Sequence, residues 1–440
     1  VRERQAYAHE TLDAALKRQK LDSRDTAFAT RLAYGAVACR GTLDEALDRF
    51  LTDAKAVEPL VRDALVVSAY EILFTGTVQR AAVSEGVELV RAVQPRAAGL
   101  ANAVLRKLAS GAEAFPWGDT AKDNAALARQ YGHPRWLAEM WILELGREVA
   151  ESVMAADNEP APLYLANLGC VGTLAETMSI LEAEGAEPQE CELPECVVVG
   201  KPALALRSSV LGERRAAVVD AGAQFAARAM RIRPGQTAVD IGAGRGGKSI
   251  LLACMAAAQD GGDAGTRIIA VDNHAFKLEV LAKSAHEIGL KGIETLVADA
   301  THPAGIRGLP DSEEVDAVLV DAPCSGLGTL RRHPDRRWRA SHADVEALGL
   351  LGEKLLSSAS RLVKRGGFVV YSTCTVARRE NSEVIERFLA SEAGERFSID
   401  SLEADVPSSW KRFVDARGMF QSLPELGGID GHFVARLRRD

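Results

Sequence analysis

The sequence predicts a multidomain chain: an all-α N-terminal domain, a small α+β middle module and an α/β Rossmann-like domain. Three observations predict it. Apolar residues recur at helical spacing through about the first 110 positions. The middle mixes short strand-like runs with helix-like ones. From about residue 216, short apolar runs alternate with helical segments, and several of those runs end in aspartate. A length of 440 residues fits about two or three domains.

Residues 1–112 read as helix after helix. Pro59 sits where a first-turn proline belongs, and Val61, Leu65, Ala69, Ile72 and Leu73 follow at helical spacing. Leu100, Val104, Leu105 and Leu108 form a second stripe, and both stripes are expected to be bundle core. "FPWGD" (115–119) marks a break. In the module over 120–215, "RWLAEMWILELG" reads as helix, and "PLYLANLG" and "CVVVG" as strands around a helix near "LAETMSILEAEG". Over 216–440, the strands are "TAVDIG", "RIIAVD", "IETLVAD", "VDAVLVDAP" and "GGFVVYSTCT", separated by helices such as "FKLEVLAKSAHEIG". This pattern makes a doubly wound parallel sheet, whose ligands bind beyond the carboxyl ends of the strands. Four strands end at Asp240, Asp272, Asp299 and Asp321, and the fifth near Cys374.

Composition narrows the function classes. No run of about 18 uncharged apolar residues occurs, so no membrane span is expected. The first 16 residues carry charges throughout and no secretory core. The chain starts at Val1 rather than Met, so it is expected to begin inside the natural protein. A net charge of −8 argues against a general nucleic-acid coat, whose main energetic term is phosphate neutralisation. The seven cysteines are odd in number and form no C-x-x-C pair. A reduced, cytoplasmic protein without disulfides or a metal site is expected, with a few individually meaningful thiols.

"VDIGAGRGGKS" (239–249) has two readings. From Gly242 to Ser249 it fits a phosphate-cradling loop, with Asp321 on magnesium, as in a P-loop nucleotide hydrolase. As a strand ending in Asp240 and a glycine turn, it fits a site for S-adenosylmethionine (SAM). The electrostatics favour SAM. Four carboxylates around one ligand repel a triphosphate but suit a sulfonium, an ammonium, ribose hydroxyls and an adenine amino group. The glycines let the backbone come close.

"DAPCSGLGTLRRHPD" and "YSTCTVARREN" each place a cysteine just past a strand end. Cys254 in "LLACMAA" is expected to be a buried hydrophobe, and Cys39, Cys170, Cys191 and Cys196 show no other role. Cys324 and Cys374 flank the ligand side of the sheet. Carbon 5 of a pyrimidine is a poor nucleophile. A thiolate adding to carbon 6 makes it enamine-like and able to take a methyl group. An acid must stabilise N3 as the adduct forms.

These motifs resemble the bacterial 16S rRNA cytosine-C5 methyltransferase family, the one named for cytosine 967, over nearly the whole chain. "RDTAFATRLAYGAVACRGTLDEALDRFL" and "AAVSEGVELVRAVQPRAAGLANAVLRKLA" resemble its NusB-like helical domain. "HPRWLAEMWILELG" and "ADNEPAPLYLANL" resemble its middle module, and the cysteine motifs with "GGIDGHFVARLRR" its catalytic domain. The resemblance implies a Rossmann-like SAM-dependent methyltransferase domain. It makes Cys374 the nucleophile, Cys324 the thiol that helps release product, and Asp321 a contact to base and SAM. It places Asp272 and Asp299 at ribose and adenine, and Lys248 near the methionine moiety or the base. SAM would lie on Asp240, Gly242, Ala243, Gly244, Arg245, Gly246, Gly247 and Lys248. The implied substrate is 16S rRNA or a small-subunit assembly intermediate.

The family loop usually reads D-x-C-A-A-P-G-G-K. Here Gly242, Gly244 and Arg245 stand for cysteine, alanine and proline, and the added cation is expected to weaken SAM binding. Arg331, Arg332 and Arg336 in the arginine-rich stretch 330–339 are expected to meet RNA, and Trp338 to stack on a base or pack on its own domain. His274, His333 and His432 show no metal-ligand spacing and are expected at polar surfaces. Glu380 and Asn381 read as surface charge and a helix cap. A non-catalytic RNA-binding assembly or antitermination factor is the remaining alternative.

Overall fold

The computed structural model describes residues 8–18, 21–260, 265–302, 306, 308–310, 313–425 and 428–440. The first seven residues of the helical region and Gly427 of the last motif lie outside the described residues. The chain divides into two compact units, Val1–Pro160 with Leu330–Ser341, and Ala161–Thr329 with His342–Asp440.

The first unit is helical. Its main helices are Ser23–Ala38, Arg40–Asp48, Pro59–Phe74, Gln79–Val93, Ala98–Ser110, Arg135–Leu145 and Arg147–Ala156. Pro59 opens its helix as expected, and Val61, Leu65, Ala69 and Ile72 are buried beneath it. Leu100 is a correction: it is 41% exposed, while Val104, Leu105 and Leu108 are buried. A Cβ on Gly35 would run into the Tyr70 ring, so glycine lets the helices Ser23–Ala38 and Pro59–Phe74 approach.

The stretch Leu330–Ser341 is part of this unit and is not simply a solvated basic loop. Arg337 is wholly buried and donates to the Gly132 and Asp157 carbonyls and the Asn158 side chain, at 3.0–3.2 Å. Trp338 donates its indole N–H to the Ala38 carbonyl at 2.7 Å. Its ring fills the space that a side chain at Gly41 would need. Packing within its own unit therefore accounts for Trp338.

The second unit holds two sheets. The smaller has strands β1 (Leu163–Asn167), β2 (Pro188–Glu190), β3 (Cys196–Val199) and β4 (Ala216–Val218), all antiparallel, in the order β2-β3-β1-β4. The larger contains β5 (Thr237–Ile241), β6 (Arg267–Asp272), β7 (Ile293–Val297), β8 (Val315–Asp321), β9 (Val363–Thr373), β10 (Phe397–Ile399), β11 (Phe420–Gln421) and β12 (Phe433–Arg439). Its order is β10-β12-β9-β8-β5-β6-β7, with β11 on β12. The five expected strands β5 to β9 pair in parallel, and the chain winds outward both ways from β5. The switch point between β5 and β8 is where such a sheet opens a ligand crevice. The antiparallel edge of β10 to β12 was not expected from the sequence.

The segment 120–215 is split between the units. The helices Asn124–Gln130, Arg135–Leu145 and Arg147–Ala156 go with the N-terminal helices: Arg129 ties the first of them to the Pro116 carbonyl and to Glu45. The small sheet goes with the large one, because Tyr164, Ala166 and Cys196 share a core with Phe225 and Leu252. Cys254 is buried in the core as expected, but it is disulfide-bonded to Cys170, which corrects the expectation of a chain without disulfides. Among the described residues, no helix is long and apolar enough to cross a membrane.

Candidate active site

The glycine loop forms at the end of β5 because its backbone has somewhere to go. The Gly242 and Ala243 N–H groups donate to the Val271 carbonyl of β6, and Gly244 N–H donates to Asp272 at 3.0 Å. Gly242, Gly244 and Gly246 all have positive φ, at 80°, 58° and 85°. A Cβ on Gly242 would strike the Asp321 carbonyl oxygen, and one on Gly246 would strike Leu281. The glycine at 242 is thus required by the path of this loop. Arg245 is exposed.

The four aspartates are not equivalent. Asp240 is fully buried under the loop, where Ser249 Oγ donates to Oδ2 at 2.5 Å and Oδ1 has no hydrogen-bond partner. Burial pushes its pKa up to about 6, against the Ser249 bond, with Asp321 adding to the rise. Asp272 is also buried. The cost of burial is outweighed by hydrogen bonds from His274 and Gly244, so its carboxyl is held below the usual range. Asp299 is exposed, and Thr301 holds it low through its hydroxyl and N–H. Asp321 accepts from Lys248 Nζ at 2.7 Å. Burial alone would lower the lysine pKa, but Asp321 raises it, so the ammonium persists. A phosphate-binding lysine would need that ammonium free; here a carboxylate holds it.

The two cysteines meet. Cys324 Sγ and Cys374 Sγ are 3.5 Å apart, past the ends of β8 and β9. The Cys324 pKa lies well above the ordinary thiol range, first through its hydrogen bond to Cys374 and then through burial. Cys324 therefore holds its proton more tightly than an ordinary thiol.

Glu380 aligns this pair. It is not surface charge but buried: it accepts from Ser325 N–H at 2.6 Å, Ser325 Oγ at 2.5 Å and Thr375 Oγ at 3.2 Å. Each of those residues directly follows one of the cysteines. Asn381 is buried as well. It stands at the N-cap of the helix Ser382–Leu389 as expected, but its side chain makes no cap bond and instead bonds Thr373, the Thr375 carbonyl and Gln421. His432 is likewise buried, not at a polar surface. These residues were missed because a polar pair after the T-C motif reads as a helix start. The available signal was a Glu-Asn pair within seven residues of a candidate nucleophile.

Comparison with known proteins decides the family. The family model described as 16S rRNA methyltransferase RsmB/F matches residues 227–438, and that of the NusB family matches residues 1–110. The Synechocystis protein named "Probable ribosomal RNA small subunit methyltransferase B" is 32% identical, covering 100% of this chain and 97% of its own. The Thermus thermophilus "Ribosomal RNA small subunit methyltransferase B" is 30% identical, covering 97% and 92%. The chain belongs to the RsmB/F family. Among solved structures, that titled "Crystal Structure of PH0851" has a TM-score of 0.78 at 24% identity, covering 97% of this chain and 93% of that one. NSun6 from Pyrococcus horikoshii with SFG has a TM-score of 0.57 at 17% identity, covering 70% and 98%.

This RsmB/F chain is a SAM-dependent methyltransferase with a NusB-like helical region. Its loop suits that cofactor: backbone replaces side chains over the crevice, and a buried carboxylate oxygen of Asp240 lacks a partner. The family assignment sets aside the P-loop hydrolase. Two tests follow. Arg245→Ala is expected to lower the SAM Kd about two- to fivefold, the scale of a solvent-screened charge; isothermal titration checks it.

The second test concerns pH. Glu380 has its pKa raised to about 7 by burial, against its hydrogen bonds. A carboxyl raised on folding binds its proton more tightly in the native state, so stability falls as pH rises from about 4.5 to about 7 and then levels. Asp240 acts with the same sign up to about pH 6. Chemical unfolding at pH 5, 6, 7 and 8 is expected to show this fall, and Glu380→Gln to flatten it between pH 6 and 7.

Proposed function

We propose that this methyltransferase makes 5-methylcytosine in 16S rRNA, at the position-967 equivalent, through a covalent cysteine–C6 adduct. The observation that carries the reading is the Cys324–Cys374 pair at 3.5 Å, beside the Asp321–Lys248 ion pair. Cys374 Sγ adds to C6 of the cytosine and makes C5 nucleophilic. Asp321 contacts the base, and the Lys248 ammonium that it holds supports N3 as negative charge develops there. SAM supplies the electrophilic methyl group. Gly242 to Lys248 form its cradle, with Asp240 beneath, and Asp272 and Asp299 bind its ribose and adenine. The C5 proton then leaves to water, its electron pair re-forms the C5–C6 double bond as the Cys374 sulfur departs, and Cys324 assists that release.

The substrate is 16S rRNA, free or in a small-subunit assembly intermediate. The names of the relatives support the small-subunit RNA, and the NusB-like region supports RNA binding over residues 1–112. Arg332 and Arg336, partly exposed, are suited to phosphate contacts; Arg331 is 8% exposed and has less surface to offer. The target cytosine must leave its stack to reach Cys374. The test is methyl transfer from labelled SAM to unmodified 16S rRNA, followed by nucleoside analysis and mapping. The expected product is 5-methylcytosine at one site. Another methylated nucleoside would overturn the cytosine-C5 reading, and RNA binding without transfer would favour a non-catalytic factor.

A further inference from the structure

One buried imidazole close to the nucleophile has no role in the chemistry above. The β9/β12 ladder ends at the pair Phe433–Thr373. Continued one step past the paired residues, that register sets His432 opposite Cys374, and opposed residues of an antiparallel pair leave the same face of a sheet. That is the face of the helix Ala221–Arg228: a Cβ on Gly222 would run into the His432 ring. Asp220, the residue before this helix, lies 3.2 Å from His432 Nε2. Its Oδ2 also accepts Gly222 N–H at 3.0 Å, so the carboxylate is fixed in place.

The titratable groups that act on the ring are Asp220, Cys374 and Asp430. Burial alone would lower the imidazole pKa, but Asp220, with Cys374 and Asp430, raises it instead. The ring therefore holds its proton more tightly than an ordinary imidazole. An ordinary thiol has a pKa of about 8.5 and is only a few per cent thiolate at pH 7, while an adjacent imidazolium lowers that value.

We propose that His432, held by Asp220 across the ladder end from Cys374, is a positioning residue that maintains Cys374 as a thiolate before RNA arrives. The proposal rests on Cys374 being the attacking thiol. The Cys374 S–H proton leaves to solvent, and the imidazolium keeps its own. When sulfur adds to C6, its charge passes into the base. When the adduct breaks, the electron pair returns to sulfur and the ion pair re-forms.

The test needs neither RNA nor SAM, so its result is independent of whether 5-methylcytosine is made. The rate of iodoacetamide alkylation at Cys374 is followed against pH by peptide mass spectrometry. Wild type, His432→Asn and Asp220→Asn are compared, each checked for wild-type circular dichroism. The wild-type midpoint is expected below about 8.5. His432→Asn is expected to raise it by about one unit, with alkylation at pH 7 about tenfold slower. Asp220→Asn leaves the ring in place and is expected to move the midpoint the same way by less; it carries the test if His432→Asn does not fold. Equal midpoints in wild type and the folded variants would overturn the proposal. A shifted midpoint in an enzyme that makes no 5-methylcytosine would instead overturn the proposed function and leave the ion pair standing.

Discussion

Cys374→Ala is expected to abolish methyl transfer, with kcat falling by about 10⁴-fold or more, a barrier increase of about 5.5 kcal/mol. The reason is chemical rather than structural. Without addition at C6, C5 of cytosine lacks the electron density to attack an alkylating group, and Cys324, assigned to release, is not expected to replace the missing nucleophile. Asp321 and Lys248 can manage protons but cannot make C5 nucleophilic. The substitution removes one sulfur from a position that is only partly buried, so the fold and SAM binding are expected to persist. A binding titration with SAM separates lost chemistry from lost structure. Residual 5-methylcytosine at even a hundredth of the wild-type rate would count against Cys374.

Cys324→Ala is expected to fail differently. Its thiol keeps its proton and lies 3.5 Å from the Cys374 sulfur, well placed to assist the last step rather than the first. The variant should still add to C6 and accept the methyl group, then stall before release. The expected outcome is a protein–RNA adduct that survives denaturing electrophoresis and grows with time. Multiple turnover should fall by about 10²-fold or more, the scale of a lost general acid–base group. The double variant, lacking both sulfurs, should form no adduct. If Cys324→Ala is dead without an adduct while Cys374→Ala forms one, the two roles are exchanged.

Much of this was legible in the sequence because it is periodic or local. The five parallel strands announce themselves as apolar runs with acidic ends, and they form β5 to β9. The pairing of Cys324 with Cys374 follows from each lying past a strand end of one sheet, since β8 and β9 are neighbours. What the sequence hid depends on long-range packing. Glu380 looks solvated beside two arginines, yet the chain turns back and buries it against Ser325, which is 55 residues away. His432 reads as a polar residue in a C-terminal run, and only the antiparallel return of β12 along β9 brings it to the strand end that leads into Cys374. Arg337 sits in a basic stretch that suggests nucleic acid, but its guanidinium satisfies buried carbonyls of the helical unit. Leu100 fits a helical stripe and is still exposed, because periodicity gives a face without fixing how far the neighbouring helices cover it. The pairing of Cys170 with Cys254, 84 residues apart, is likewise set by the fold and not by spacing.

The most direct test identifies the atom that attacks the base. Cys324→Ala is incubated with SAM and unmodified 16S rRNA, digested with nuclease and protease, and the peptide carrying a nucleotide is sequenced by mass spectrometry. The predicted result is a methylated cytidine nucleotide on Cys374, within the peptide around "YSTCTVAR". A nucleotide on any other residue, or methylated RNA released with no adduct ever formed, would contradict the assignment of Cys374 as the nucleophile.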